Sequence, residues 1–219
     1  MAPPLFDDRA HAGRLLAARV KALSLHDPLV IALPRGGVPV GAEVARELQA
    51  PLELLLVRKI GAPWQPELAV AAVVDGSPPE LVVDDHALRA VGCGRAHVEA
   101  QLPYALAEIE RRRAAYLGAE APVDPSGRDV VVVDDGLATG TTARAALRAL
   151  RRRRVRRLVL AVPVAARESL EALRGEADDV ACLSTPEHFE AVSPYYRRFE
   201  QLEDGEVVEL IRAARSAER

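Results

Sequence analysis

Lysine is nearly missing from this chain of 219 residues: Lys21 and Lys59 stand against 27 arginines. Cysteine is as sparse, and Cys93 and Cys182 lie far apart, which excludes a disulfide framework and the paired spacing of a zinc site. The five histidines (His11, His26, His86, His97 and His188) are scattered and point to no metal cluster either. No segment approaches the roughly 18 uninterrupted apolar residues that a membrane helix requires. The opening MAPPLFDDRAH contains no apolar secretory segment, so a cytoplasmic location is expected. Charge of one sign is lacking too. The net charge of −3 comes from 29 basic and 32 acidic residues, which gives no overall attraction to nucleic acid or to an anionic membrane.

What the chain does have is alternation. Apolar, β-branched runs predict strands over 29–34, 52–58, 130–134, 157–162 and 179–183, and amphipathic stretches predict helices over 9–25, 38–49, 141–153, 167–174 and 205–215. Such an order predicts an α/β fold with a mostly parallel central sheet flanked by helices. The length suits a single domain over 1–219 with a substantial core. Between Gly61 and Gly127 the alternation breaks. Ala69–Gly76 and Glu80–Asp85 read as a hairpin, a charged helix follows around Ala105–Leu117, and Pro63, Pro66, Pro78 and Pro79 punctuate the stretch. Residues 61–127 are therefore expected to be an insertion between core strands.

Val130–Thr142, reading VVVVDDGLATGTT, is the most informative stretch. Four successive valines with no polar alternation suit a strand covered on both faces. Asp134 and Asp135 fall at its carboxyl end, where open α/β sheets place ligands. Gly136 and Gly140 allow close backbone approach. Thr139, Thr141 and Thr142 add hydroxyl donors where a helix begins, and unpaired N–H groups there suit a phosphate. Carboxylates repel a phosphate, so this pair should face another part of the same ligand, and a vicinal diol can donate to both. Diol beside phosphate describes ribose 5-phosphate. The bland alternative is that Asp134 and Asp135 merely end a strand and cap a helix, but the other acidic pairs, Asp7–Asp8, Asp84–Asp85 and Asp178–Asp179, do not sit between an apolar strand and a Gly/Thr loop. The segment is neither a Walker loop nor a dinucleotide fingerprint.

The same thirteen residues resemble the phosphoribosyl-diphosphate signature of the type I phosphoribosyltransferases, in which a hydrophobic strand, two acids and a Thr-Gly-Thr-Thr type loop occur in this order. The resemblance implies that family's fold, with an inserted flexible segment over 61–127 and a small hood formed by 186–219. It implies transfer of the 5-phosphoribosyl group of phosphoribosyl diphosphate to a nitrogenous acceptor, with release of pyrophosphate, as in nucleotide metabolism. Magnesium would be the cofactor, held mainly by ligand oxygens and touching Asp134 and Asp135 at most, and a homodimer is the expected assembly. The ligand-binding set then comprises Asp134, Asp135, Gly136, Leu137, Ala138, Thr139, Gly140, Thr141 and Thr142.

Other parts of the site are implied by the same resemblance. Leu29–Arg35 is a second apolar strand running into Gly36 and Gly37. A loop in this place binds diphosphate in the family, often through a cis peptide, and Pro34–Arg35 is the candidate bond. Arg35, Gly36 and Gly37 therefore join the set. Arg58 and Lys59 end the predicted strand over 52–58, and the resemblance assigns them to the diphosphate. In a chain that writes arginine almost everywhere, Lys59 stands out, because a compact ammonium and a planar guanidinium are not interchangeable at a crowded phosphate. Asp134, Asp135 and Lys59 are the expected catalytic residues. The insertion would carry a mobile loop that excludes water on closing. Phe189, Tyr195, Tyr196 and Phe199, four of the eight aromatics, would either stack on a flat acceptor or anchor the last helix.

One position departs from the pattern: purine-salvage members place an aspartate just before the Thr-Gly pair, and this chain has Ala138. A methyl group exchanges no protons, so purine salvage by the usual arrangement is disfavoured. Arg148–Arg157 contains seven arginines in ten residues. It reads as a solvated helix end or a subunit contact, and alternatively as the nucleic-acid surface of a regulator that senses the sugar diphosphate without turnover. A sugar-phosphate hydrolase is a third reading, weakened by the lack of an aspartyl-phosphate signature.

Overall fold

The computed structural model describes residues 4–76, 78–118 and 122–217. Five parallel strands form the central sheet in the order β2–β1–β6–β7–β8: β1 (Pro28–Ala32), β2 (Leu52–Leu54), β6 (Asp129–Val133), β7 (Arg157–Val164) and β8 (Asp179–Ser184). The valine run is the middle strand, and Val130 to Val133 are all fully buried. Alternation along a strand sends successive side chains to opposite faces, and here both faces are cores. Val131 and Val133 pack with Leu16, Ala17 and Val20 of α1 (Arg9–Lys21), with Val40 and Val44 of α2 (Gly37–Leu48), and with Val207 and Ile211 of α7 (Asp204–Ala217). Val130 and Val132 pack with Leu147 and Leu150 of α5 (Thr141–Arg152) and with Leu170 and Leu173 of α6 (Arg167–Leu173).

The predicted strand over 52–58 is two strands. β2 stops at Leu54, and β3 (Val57–Ala62) belongs to a separate antiparallel sheet in the order β3–β4–β5, with β4 over Gln65–Val74 and β5 over Glu80–Val83. Leu55 and Leu56 stay buried through the change of partners, which is why the apolar run reads as continuous. The Leu55 amide still bonds to Ala32 of the central sheet at 3.1 Å, whereas the Leu56 carbonyl already accepts from Asp75 at 2.8 Å. Arg58 and Lys59 are therefore exposed residues of the second sheet and do not end a core strand.

That second sheet is clamped between helices. Ala72 and Val74 of β4 join the core of α5, and Ala71 and Val73 join the core that includes Ile109 of α4 (Arg95–Leu117). The exposed part is the β3–β4 tip, where Trp64 is 80% exposed. The helix expected from Ala105 starts ten residues earlier and carries Pro103 inside it. A short helix, α3 (Asp85–Ala90), follows β5, with the Asp84 carboxylate capping the His86 and Ala87 amides. The helix predicted over 9–25 ends at Lys21, and a left-handed Ser24 and Asp27 turn the chain into β1.

Candidate functional site

Adjacent strands deliver two loops to one edge of the sheet. β1 and β6 pair in register through Ala32 and Val133, so the segments that follow them touch. After β1 the Pro34–Arg35 peptide is cis, and Gly36 and Gly37 lie against the acidic doublet. A β-carbon on Gly36 would fall 2.0 Å from Asp135 Oδ2, and one on Gly37 would fall 2.6 Å from the Val133 carbonyl oxygen. After β6, Asp134 and Asp135 are half-buried, and Leu137 is buried and pinned to β7: its N–H donates to Val164 and its carbonyl accepts from Ala166, both at 2.9 Å. Gly140 then takes φ +71°, a left-handed conformation that other residues rarely adopt, and α5 begins at Thr141. Among the described residues no protein group accepts from the amides of 138–142. The hydroxyls of Thr139 and Thr141 stand 3.3 Å apart beside them, and the Ala138 carbonyl is held by the Ser169 hydroxyl.

The carboxylates are not equivalent. Asp134 Oδ1 accepts the Asp135 N–H at 2.9 Å, and Asp135 Oδ2 accepts Nε of Arg9 at 2.7 Å. Burial pushes the Asp134 carboxyl well above the usual carboxylate range, and the neighbouring Asp135 charge adds to this. Burial raises Asp135 as well, opposed by its bond to Arg9. The Asp135 carbonyl accepts the Tyr196 hydroxyl at 2.5 Å, and Val192 covers Gly136 closely enough that a β-carbon there would lie 2.5 Å from its methyl group. Arg35 reaches the start of α7, with Nη1 3.7 Å from Asp204. Asp204 also accepts the Tyr116 hydroxyl at 2.6 Å, and burial, with that bond second, pushes the Tyr116 phenol up to about 12.

A sequence model of the phosphoribosyl transferase domain matches residues 6–200. The chain belongs to that family. It is 45% identical over 204 residues to two Mycobacterium tuberculosis proteins, each named "Putative phosphoribosyl transferase" (Rv0571c and MT0597), covering 93% of this chain and 46% of theirs. The chain thus spans about half the length of the curated relatives it matches. The crystal structure of TT1426 from Thermus thermophilus superposes with a TM-score of 0.80 at 42% identity, over 94% of this chain and 97% of that one. A hypothetical protein from Neisseria gonorrhoeae, solved with bound ppGpp, shares the fold at a TM-score of 0.50 and 14% identity, over 97% and 98% of the two chains.

In this phosphoribosyl transferase domain the structure brings together the doublet, Gly36, Gly37 and the 136–142 loop. Arg58 lines a narrow cleft with Pro34, Glu108 and Arg112, whereas Lys59, the next residue along an exposed strand, points to the other face of its sheet. Arg9, Val192 and Asp204 escape a reading of the sequence as site residues. Arg9 is one arginine among 27 and lies 126 residues from its partner, so nothing local marks it. Tyr196 belongs to the aromatic stretch, and the structure shows what that stretch holds. Its ring lies 5.2 Å from Phe6 and 5.0 Å from Phe199, and the Leu5 and Phe6 amides bond to the Tyr195 carbonyl. The rings therefore fasten the N-terminal segment and the doublet, and not the last helix.

The arginine-rich stretch is largely spent on internal charge pairs. Arg148 pairs with Glu176, Arg151 with Asp178, Arg152 with Glu80, Arg156 with Asp129 and Arg157 with Asp179. Cations already matched to carboxylates contribute little net potential to a phosphate backbone. No helix is long and apolar enough to cross a membrane among the described residues.

Proposed function

We propose that this domain transfers the 5-phosphoribosyl group of phosphoribosyl diphosphate to a nitrogenous acceptor and releases pyrophosphate. The reading rests on one juxtaposition: two half-buried carboxylates beside a loop whose amides 138–142 have no protein acceptor among the described residues. In this account the sugar hydroxyls donate to Asp134 and Asp135, and the 5-phosphate accepts from the amides and threonine hydroxyls of 138–142. The diphosphate lies toward Arg35, Gly36 and Gly37, with Arg58 and Lys59 approaching from the second sheet. As the C1–oxygen bond to the diphosphate breaks, positive charge grows on the sugar ring, and two fixed carboxylates next to it lower the barrier. Their ionised forms are the useful ones, and donation from the sugar hydroxyls opposes the upward pull of burial. Positioning supplies the remainder, so no covalent nucleophile is required.

No group of three or more histidine, cysteine or acidic side chains that could hold a metal occurs among the described residues. The residues present fit a magnesium ion held mainly by diphosphate oxygens and water, with Asp134 and Asp135 as the carboxylates at hand. Such an ion, when bound, neutralises charge on the departing diphosphate. Ala138 puts a methyl group where a proton acceptor would serve a purine, so the acceptor is one that attacks without a base at that position. Pyrophosphate release from phosphoribosyl diphosphate and magnesium, measured over a panel of nitrogenous acceptors, tests the reading. Turnover with one acceptor class is expected. Binding without release for every acceptor would leave a sensor in place of a transferase.

A further inference from the structure

Two carboxylates carry four acceptor oxygens, and this fold leaves two of them open. Asp134 Oδ1 is occupied by the Asp135 amide and Asp135 Oδ2 by Arg9, whereas no hydrogen bond or ion pair among the described residues reaches Asp134 Oδ2 or Asp135 Oδ1. One open oxygen per carboxylate matches the two hydroxyls of a vicinal diol. We propose that Arg9 is a positioning residue, which fixes Asp135 so that a single carboxylate oxygen faces the sugar and thereby sets the preference for a diol over a single hydroxyl. This rests on the reading that a phosphorylated ribose binds here.

The guanidinium is held from several directions, as an orienting group must be. Arg9 opens α1. Its Nε donates to Asp135 at 2.7 Å and its Nη1 to the Glu200 carbonyl at 3.0 Å. The guanidinium carbon lies 3.7 Å from the centre of the Phe199 ring, a contact that favours a cation over an aromatic face. The Arg9 and Asp135 side chains are only 12% and 14% exposed, so water competes weakly for the bond. Gly36 closes the other side of Asp135 Oδ2, which prevents that carboxylate from turning away from Arg9 toward the glycine loop. Tyr196 then ties the Asp135 backbone to the same C-terminal segment. An ammonium could not reproduce this arrangement, because it lacks the planar fork that donates in two fixed directions while lying flat on a ring.

The test uses the full chain and three probes: ribose 5-phosphate, 2-deoxyribose 5-phosphate and inorganic phosphate, each titrated by calorimetry. Wild type is expected to prefer the ribose ester by roughly tenfold or more, the scale of one charge-assisted hydrogen bond. Arg9→Gln should bring that ratio close to one and leave phosphate affinity within about twofold, with Arg9→Lys restoring only part of the preference. Equal weakening of all three probes in Arg9→Gln would show a merely structural role and overturn the proposal, as would an unchanged ratio. Should Arg9→Gln fail to fold, Phe199→Leu removes the platform and keeps the charge: a reduced ratio supports the assignment and an unchanged one overturns it. A wild type that binds both esters equally would instead remove the diol reading itself.

Discussion

Gly36→Ala offers a sharp probe of how the two loops interlock. The added methyl would sit 2.0 Å from Asp135 Oδ2 and 2.4 Å from its Cγ, where non-bonded atoms normally settle near 3.5 Å. The loops would have to part by on the order of 1 Å. Asp135 cannot yield freely, because the same oxygen is bonded to Arg9, so the displacement falls on the Pro34–Gly37 segment or breaks that bond. Overpacking of this kind costs about 1–3 kcal/mol, which for a domain of this size corresponds to a fall in Tm of about 2–12 °C. The assay is thermal unfolding alongside calorimetric titration with ribose 5-phosphate, whose affinity should drop with the stability. Gly205→Ala serves as the control: its β-carbon would meet nothing within 4 Å, it lies in the first turn of α7, and helix propensity predicts an unchanged or slightly raised Tm, by at most about 2–4 °C. If Gly36→Ala unfolds at the wild-type temperature and binds the ester unchanged, the acids do not pack against the glycine loop as described.

Further expectations concern the same neighbourhood. Since Asp134 titrates above its unfolded value, the native state binds the extra proton and loses stability as pH rises through and beyond the ordinary carboxylate range. Asp134→Asn should therefore raise Tm at pH 8, and the gain should shrink as pH falls toward 4; a gain independent of pH contradicts the cause given. Tyr196→Phe leaves the Asp135 carbonyl without its donor and should cost about 1–3 kcal/mol in denaturant unfolding, and a loss below measurement error would mean that the bond of 2.5 Å is unimportant. The paired arginines of 148–157 predict no RNA binding above a weak, nearly salt-independent background; tight binding that falls steeply with salt would revive the regulator.

Much of this architecture can be read from residues, and the failures share a cause. Val130–Val133 identify a strand buried on both faces because every position is β-branched and apolar, and both cores are found where that requires. The other acidic pairs serve the backbone: Asp8 caps α1 through the His11 amide, Asp84 caps α3, and Asp178 takes the Leu158 amide at 2.7 Å. Leu52–Leu56 mislead because an apolar run reports burial and not which sheet supplies the partner. The predicted long helix is cut short near Pro103, whose missing N–H argues against a helix interior although α4 runs through it. Arg9 and Asp204 are invisible in the sequence because their meaning is tertiary: each acts on a loop more than a hundred residues away, and no local spacing encodes that.

The central claim is that a ribose carrying phosphate and diphosphate sits on the acidic doublet, and calorimetric titration of phosphoribosyl diphosphate with magnesium into wild type and into the Asp134→Asn/Asp135→Asn double variant tests it most directly. Wild type should bind, and the double variant should bind roughly thirty- to a hundredfold more weakly, the loss expected when two charge-assisted hydrogen bonds become neutral ones. Equal affinity in the two proteins would contradict it.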